Sequence, residues 1–144
     1  MTMNVTDTEV GTLRAGFLGG GFMAAVHSRA VRAAQATPAL IASSRPESSK
    51  TVARALGIAE AASDPGELIA ADIDVVHVCT PNATHAAYAA AALAAGKHVI
   101  CEKPLATSAD EALALVTTAR ESGLVAAVPF VYRYHPQVRE MRAR

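Results

Sequence analysis

Residues 14–27 read RAGFLGGGFMAAVH, and three consecutive glycines at 19–21 divide an apolar run of strand character from one of helix character. Glycine packs nothing and costs conformational entropy, so three together mark a place where the backbone must do what a side chain would prevent. Gly19, Gly21 and Ala24 have the spacing G-x-G-x-x-G/A. Between a strand and a helix, the first glycine of that spacing makes the tight turn and the second lets the backbone approach a pyrophosphate. The small third residue lets the helix lie close on the strand. The first N–H groups of the helix, with Phe22 and Met23 in its opening turn, then offer partial positive charge to an anion. The alternative is a tight strand–helix turn with no ligand. A Walker-type phosphate loop is excluded, because no Gly-Lys-Ser/Thr follows and the next lysine is Lys50.

The rest of the chain repeats the strand-then-helix order. Strands are expected at 15–19, 39–43, 74–79, 98–101 and 125–128, and helices at 22–35, 47–56, from 65, 83–95 and from 109. Asp64, Pro65 and Glu67 make a helix start, and Ser108 with Glu111 makes a capping box. The run DVVHVC shows no alternation, as expected of a parallel strand covered on both faces. This order predicts an α/β fold: a doubly wound, mostly parallel sheet in three αβα layers. Residues 1–12 read as a flexible tail and 13–128 as the nucleotide-binding domain. Residues 129–144, aromatic and basic, read as a crossover segment at the truncated start of a second domain.

Composition removes several function classes. Thirteen basic and thirteen acidic residues balance, so no global field points to nucleic acid or an anionic membrane. The longest apolar stretch, HAAYAAAALAAGKHVIC, is interrupted by Gly96, Lys97 and His98, short of the roughly 20 residues of a membrane span. Cys79 and Cys101 lack metal or CxxC spacing and end strand-like runs, so they read as small buried hydrophobes in a cytoplasmic protein. No metal site is expected.

The end of the second strand bears on the cofactor. An NAD site of this type often carries Asp or Glu there to hold the ribose hydroxyls. Here the chain reads IASSRPESSK, with Ser43, Ser44 and Arg45 before the first acid, Glu47. Hydroxyls and a guanidinium can hydrogen-bond a 2′-phosphate that a carboxylate would repel, which favours NADP over NAD. The competing reading of Arg45 is a solvated loop residue.

Two further stretches carry a resemblance. VHVCTPNATHAAYAAAALAAGKHVICEKPLA, with T-P-N after the strand at 74–79 and G-K-H-V-x-x-E-K-P around the strand at 98–101, resembles the Gfo/Idh/MocA family of NAD(P)-dependent oxidoreductases. GFLGGGFMAAVH, including His27, is similar to the family's opening. The resemblance covers about residues 13–140. It implies that Thr80, Pro81, Asn82 and His85 border the cofactor cleft, with Glu102 and Lys103 at its substrate edge. It makes Lys103 the catalytic candidate, donating to a reacting oxygen or assisting proton transfer. Taken alone, Lys103 would read as an exposed loop lysine. His27 and His85 read as packing residues, and His77, His98 and His135 have no metal-ligand spacing.

The resemblance also implies a second, substrate-binding domain that supplies an aspartate–histidine pair and the contacts of a homo-oligomer. The implied activity is hydride transfer between nicotinamide and a secondary alcohol or carbonyl of a sugar, polyol or related small molecule. Two other readings stand beside it: a non-catalytic nucleotide-binding module or truncated gene product, and a Rossmann enzyme of amino-acid metabolism, which E-K-P disfavours.

Overall fold

A computed structural model describes residues 12–144; the tail expected at residues 1–12 lies, but for Thr12, outside the described residues. Six strands form one sheet: β1 (Arg14–Leu18), β2 (Thr37–Ala42), β3 (Glu60–Ala61), β4 (Val75–Val78), β5 (His98–Cys101) and β6 (Ala126–Ala127). Their order is β3-β2-β1-β4-β5-β6, and every pairing is parallel. The helices are α1 (Phe22–Ala33), α2 (Pro46–Leu56), α3 (Pro65–Ala70), α4 (His85–Ala94), α5 (Ala109–Ser122) and α6 (Pro136–Ala143). The chain leaves β1 toward one side of the sheet and returns at β4 to build the other side. That reversal makes the β1–β4 boundary a switch point, where α/β sheets open a crevice at the strands' carboxyl ends.

Strand alternation divides the core into two layers. On one face Ala15, Phe17 and Ile41 pack with Ala24 and Val31 of α1 and Ala53 of α2. On the other, Leu18, Leu40, Val76, Val78, Val99 and Cys101 pack with Leu68 of α3, Leu93 of α4 and Leu115 of α5. Seven of the ten residues of α4 are alanine, which lets it lie close against β5 and α5. The same alternation sends His77 and Glu102 to the α1 face, opposite Val78 and Cys101.

The expected helix starts are present. Asp64 accepts from the Glu67 backbone N–H at 2.9 Å, and Ser108 Oγ accepts from that of Glu111 at 3.2 Å. Several boundaries shift. The first helix ends at Ala33 rather than 35, because Gln35 takes φ +60 and turns the chain out. The helix expected from 83 begins as a 3₁₀ turn, Asn82–Thr84, with α4 starting at His85. β2 starts two residues early and β6 keeps only two of four residues. β3 and α6 have no counterpart in the sequence-based expectation.

Candidate functional site

The glycine turn sits at the switch point. Gly19 donates its N–H to the Ala42 carbonyl at 2.8 Å, and Cys79 donates to that of Leu18 at 2.8 Å, so the ends of β2, β1 and β4 are tied together. Gly19 has φ +100, and a Cβ there would lie 2.5 Å from the Cys79 carbonyl oxygen. A side chain is excluded by both backbone conformation and space. Gly21 differs. It is the N-cap of α1 with φ −87 and ψ −165, which any residue adopts, and a Cβ there would meet nothing within 4 Å. The packing of the chain therefore gives no reason for its glycine. The first turn of α1 carries no acidic residue and no side-chain cap, leaving its N–H groups directed at open space.

That space is a cleft of about 510 Å³ bordered by Gly19, Gly21, Ser43, Ser44, Thr80 and Pro81, together with Thr84 and Tyr88. Six of the sequence-predicted site residues thus meet in one crevice. The end of β2 is held by Ser49, a buried residue of α2 whose Oγ accepts from the Ser43 N–H at 2.8 Å. The T-P-N turn is held by Thr84, whose hydroxyl donates to Thr80 Oγ1 at 2.7 Å. The other predicted residues do not line this cleft. Phe22 is exposed and Met23 half-buried at the start of α1; Arg45 is exposed at the N-cap of α2; Asn82 is exposed in the 3₁₀ turn. Lys103 is exposed beyond the end of β5, while Glu102 beside it is buried.

Under the cleft lies a buried polar chain. His77 stands on β4 against Phe17, with ring centroids 5.0 Å apart. Its Nδ1 is 2.9 Å from Nδ1 of His27 on α1, and Nε2 of His27 donates to Oε1 of Glu102 at 3.1 Å. Burial, with the His27 ring adding to it, pushes the His77 ring down to about 3, so that ring is neutral at pH 7. With Nε2 of His27 donating to Glu102, the His77 Nδ1–H is the donor that satisfies the facing Nδ1 of His27. A second buried ring, His85 at the start of α4, points Nδ1 at the Pro104 carbonyl oxygen at 2.6 Å and Nε2 at that of Thr80 at 2.8 Å. Carbonyl oxygens only accept, so a ring N–H of His85 is the donor at this site. His27 and His85 are both buried, and neither lines the cleft.

Burial, followed by the nearby Glu102 charge, pushes the thiols of Cys79 and Cys101 up to about 12, and both are free. Among the described residues no cluster of three His, Cys, Asp or Glu side chains is arranged to hold a metal. Among them, too, no helix is long and apolar enough to cross a membrane.

Residues 13–130 match the family described as an oxidoreductase family with an NAD-binding Rossmann fold, Gfo/Idh/MocA. The chain belongs to the Gfo/Idh/MocA family. Levoglucosan dehydrogenase from Pseudarthrobacter phenanthrenivorans is 41% identical over 136 residues, which cover 88% of this chain and 35% of that protein. The chain spans about a third of the length of the curated relatives it matches. A levoglucosan dehydrogenase structure in complex with NADH superposes at TM-score 0.82 with 38% identity, covering 85% of this chain and 36% of the other. A 3-ketoreductase from Actinomadura kijaniata, in complex with NADP and TDP-benzene, superposes at TM-score 0.84 with 34% identity, covering 91% and 41%. Gfo/Idh/MocA structures similar to this chain therefore include both an NADH and an NADP complex.

Gfo/Idh/MocA membership draws attention to the E-K-P stretch, but not to His77, which backs the His27 ring that meets Glu102. The available signal was a histidine inside an apolar strand, since a buried polar group needs a partner. Nothing local identifies that partner, because His27 is 50 residues away and only the shared sheet face brings the rings together.

Proposed function

We propose that this chain is the cofactor-binding part of an NAD(P)-dependent oxidoreductase that acts on a secondary alcohol or carbonyl of a sugar or polyol. The observation that carries the reading is the open space at Gly21, beside the uncapped start of α1 and at the switch point. A dinucleotide pyrophosphate fits that donor set, because the backbone N–H groups and the helix dipole both favour an anion. Residues 13–128 are the nucleotide-binding domain in this reading, and 129–144 lead out of it. Gly19, Gly21, Phe22 and Met23 present the phosphate turn. Thr80 and Pro81 border the opposite wall, toward the nicotinamide, with Asn82 in the exposed turn that follows them.

When bound, the nicotinamide supplies or accepts the hydride. Lys103 Nζ donates a hydrogen bond to the reacting oxygen and stabilises the charge that develops there. Glu102 holds the Lys103 backbone. Two free thiols pushed up to about 12, Cys101 buried and Cys79 half-buried, fit the cytoplasmic setting of this reading. The test is a fluorescence titration of the protein with NADPH and NADH. Saturable binding of at least one is expected, and no saturation by either below about 1 mM, some 4 kcal/mol, overturns the reading.

NADP is the preferred cofactor in this proposal. No carboxylate stands at the end of β2, while Ser43 and Ser44 border the cleft and Arg45 follows them. Arg45→Ala is expected to weaken NADPH binding about ten- to a hundred-fold, the value of a charge-assisted hydrogen bond of roughly 1.5–3 kcal/mol, with NADH unchanged. Because Arg45 is exposed, salt pulls the effect toward the lower end. Calorimetry with both cofactors at two salt concentrations measures it; equal weakening of both removes Arg45 as the phosphate contact.

A further inference from the structure

Lys103 has an exposed side chain, yet the backbone around it is held from both faces of the sheet. On its N-terminal side the buried Glu102 divides its carboxylate. Oε1 accepts from His27 Nε2 at 3.1 Å, and Oε2 accepts from the Lys103 backbone N–H at 3.1 Å. His27 belongs to α1, and His77 backs it at 2.9 Å. On the C-terminal side the Pro104 carbonyl receives Nδ1 of His85 at 2.6 Å, and the same ring reaches the Thr80 carbonyl at 2.8 Å. His85 belongs to α4, on the opposite face from α1.

We propose that His27 and His85 are positioning residues for Lys103, fixing the residues before and after it, Glu102 and Pro104, to α1 and α4 on the two faces of the sheet. The proposal rests on the reading of Lys103 as the group that meets the reacting oxygen. Its physical basis is cost. A carboxylate and three imidazoles, all buried, are expensive to desolvate, and apolar residues of similar volume would fill the same space more cheaply. The two networks use different helices and opposite faces, yet they converge on residues 102 and 104, which flank only Lys103. A flexible lysine serves a defined oxygen only if its stem begins from a fixed backbone, and two buried anchors supply that. His85 also joins the T-P-N turn to the E-K-P loop through a single ring.

The test uses the whole chain, ¹⁵N-labelled, with amide exchange and chemical shift read at Lys103. His27→Gln keeps a donor where Nε2 stood and loses only the His77 contact. His27→Asn keeps a group where Nδ1 stood and loses Glu102. Exchange at Lys103 is expected to rise at least ten-fold in His27→Asn and in His85→Gln, and to stay within three-fold in His27→Gln. The amides of Phe17 and Ile41 are expected to remain protected throughout. No change at Lys103 in both His27→Asn and His85→Gln overturns the proposal. So does an equal rise across the sheet, the outcome of a merely structural role. If His27→Asn fails to fold, Glu102→Gln replaces it, and an unmoved Lys103 amide shift there is equally fatal. These readouts need no turnover, so their failure overturns the clamp alone; Lys103→Ala with undiminished sugar turnover would overturn the reading of Lys103.

Discussion

Gly19→Ala is expected to destabilise the fold by about 3–5 kcal/mol, whereas Gly21→Ala, two residues on, is expected to cost under about 1 kcal/mol. The difference follows from where each Cβ would go. At Gly19 the methyl would enter the Cys79 carbonyl, 2.5 Å away, in a backbone conformation of φ +100. Strain of that kind costs about 1–3 kcal/mol, and forcing β4 away from β1 adds a comparable overpacking term. Because Cys79 opens the T-P-N turn, the displacement also spoils the cleft. At Gly21 the methyl meets only space, and replacing an N-cap glycine costs well under what is lost at Gly19. The same methyl would stand where a pyrophosphate approaches the start of α1, so dinucleotide affinity is expected to fall ten- to a hundred-fold, about 1.4–2.8 kcal/mol. Urea unfolding and NADPH titration of both variants separate the two effects. A stable Gly19→Ala, or a Gly21→Ala that binds normally, contradicts the assignment.

Acid is expected to weaken the protein earlier than its carboxylates alone would dictate. In the unfolded chain His77 takes up a proton near the ordinary histidine value of about 6.5, while in the fold burial pushes the ring down to about 3. At pH 7.5 the ring is neutral in both states and its contribution is intact. As pH falls below 6.5 the unfolded state binds a proton that the folded state refuses, so stability declines until the folded ring titrates near 3. Between pH 7.5 and pH 5 this one group removes about 2 kcal/mol. Urea denaturation at those two pH values measures it, and His77→Phe is expected to lose less by about that amount. A His77 resonance that titrates near 6.5 in the native protein excludes the effect.

The parallel sheet was legible because buried strands and capped helices leave marks along the chain. β1, β4 and β5 are apolar runs, and the Asp64 and Ser108 starts announce α3 and α5. β3 left none: it is two residues long, with Glu60 exposed, and exists only as a partner for Leu40 and Ile41 of β2. The phosphate turn was legible for the same local reason, since glycine spacing is a property of neighbouring residues. The support beneath it was not. His27, His77 and Glu102 are 50 and 75 residues apart along the pairs they form. Only the pairing of Val78 with Cys101, followed by one step of strand alternation, puts Glu102 on the face of the two histidines. Register is a tertiary fact, and a single sequence does not print it.

The shortest strands stand at the two rims of the sheet and the longer ones inside it. β2 and β1 have six and five residues, β4 and β5 four each, and the outermost β3 and β6 two each. A foreign chain that tried to add itself to either rim would find a ladder only two residues long, too short to nucleate a lasting pairing. VVHV at 75–78 is paired on both sides along its length, and ALIA at 39–42 is paired by β1 from Leu40 to Ala42 and by β3 at Leu40 and Ile41. The fold thus carries a guard against runaway polymerisation in its outline, beside the charge of Glu60 on β3, and that guard holds only while β2 and β4 keep their places inside.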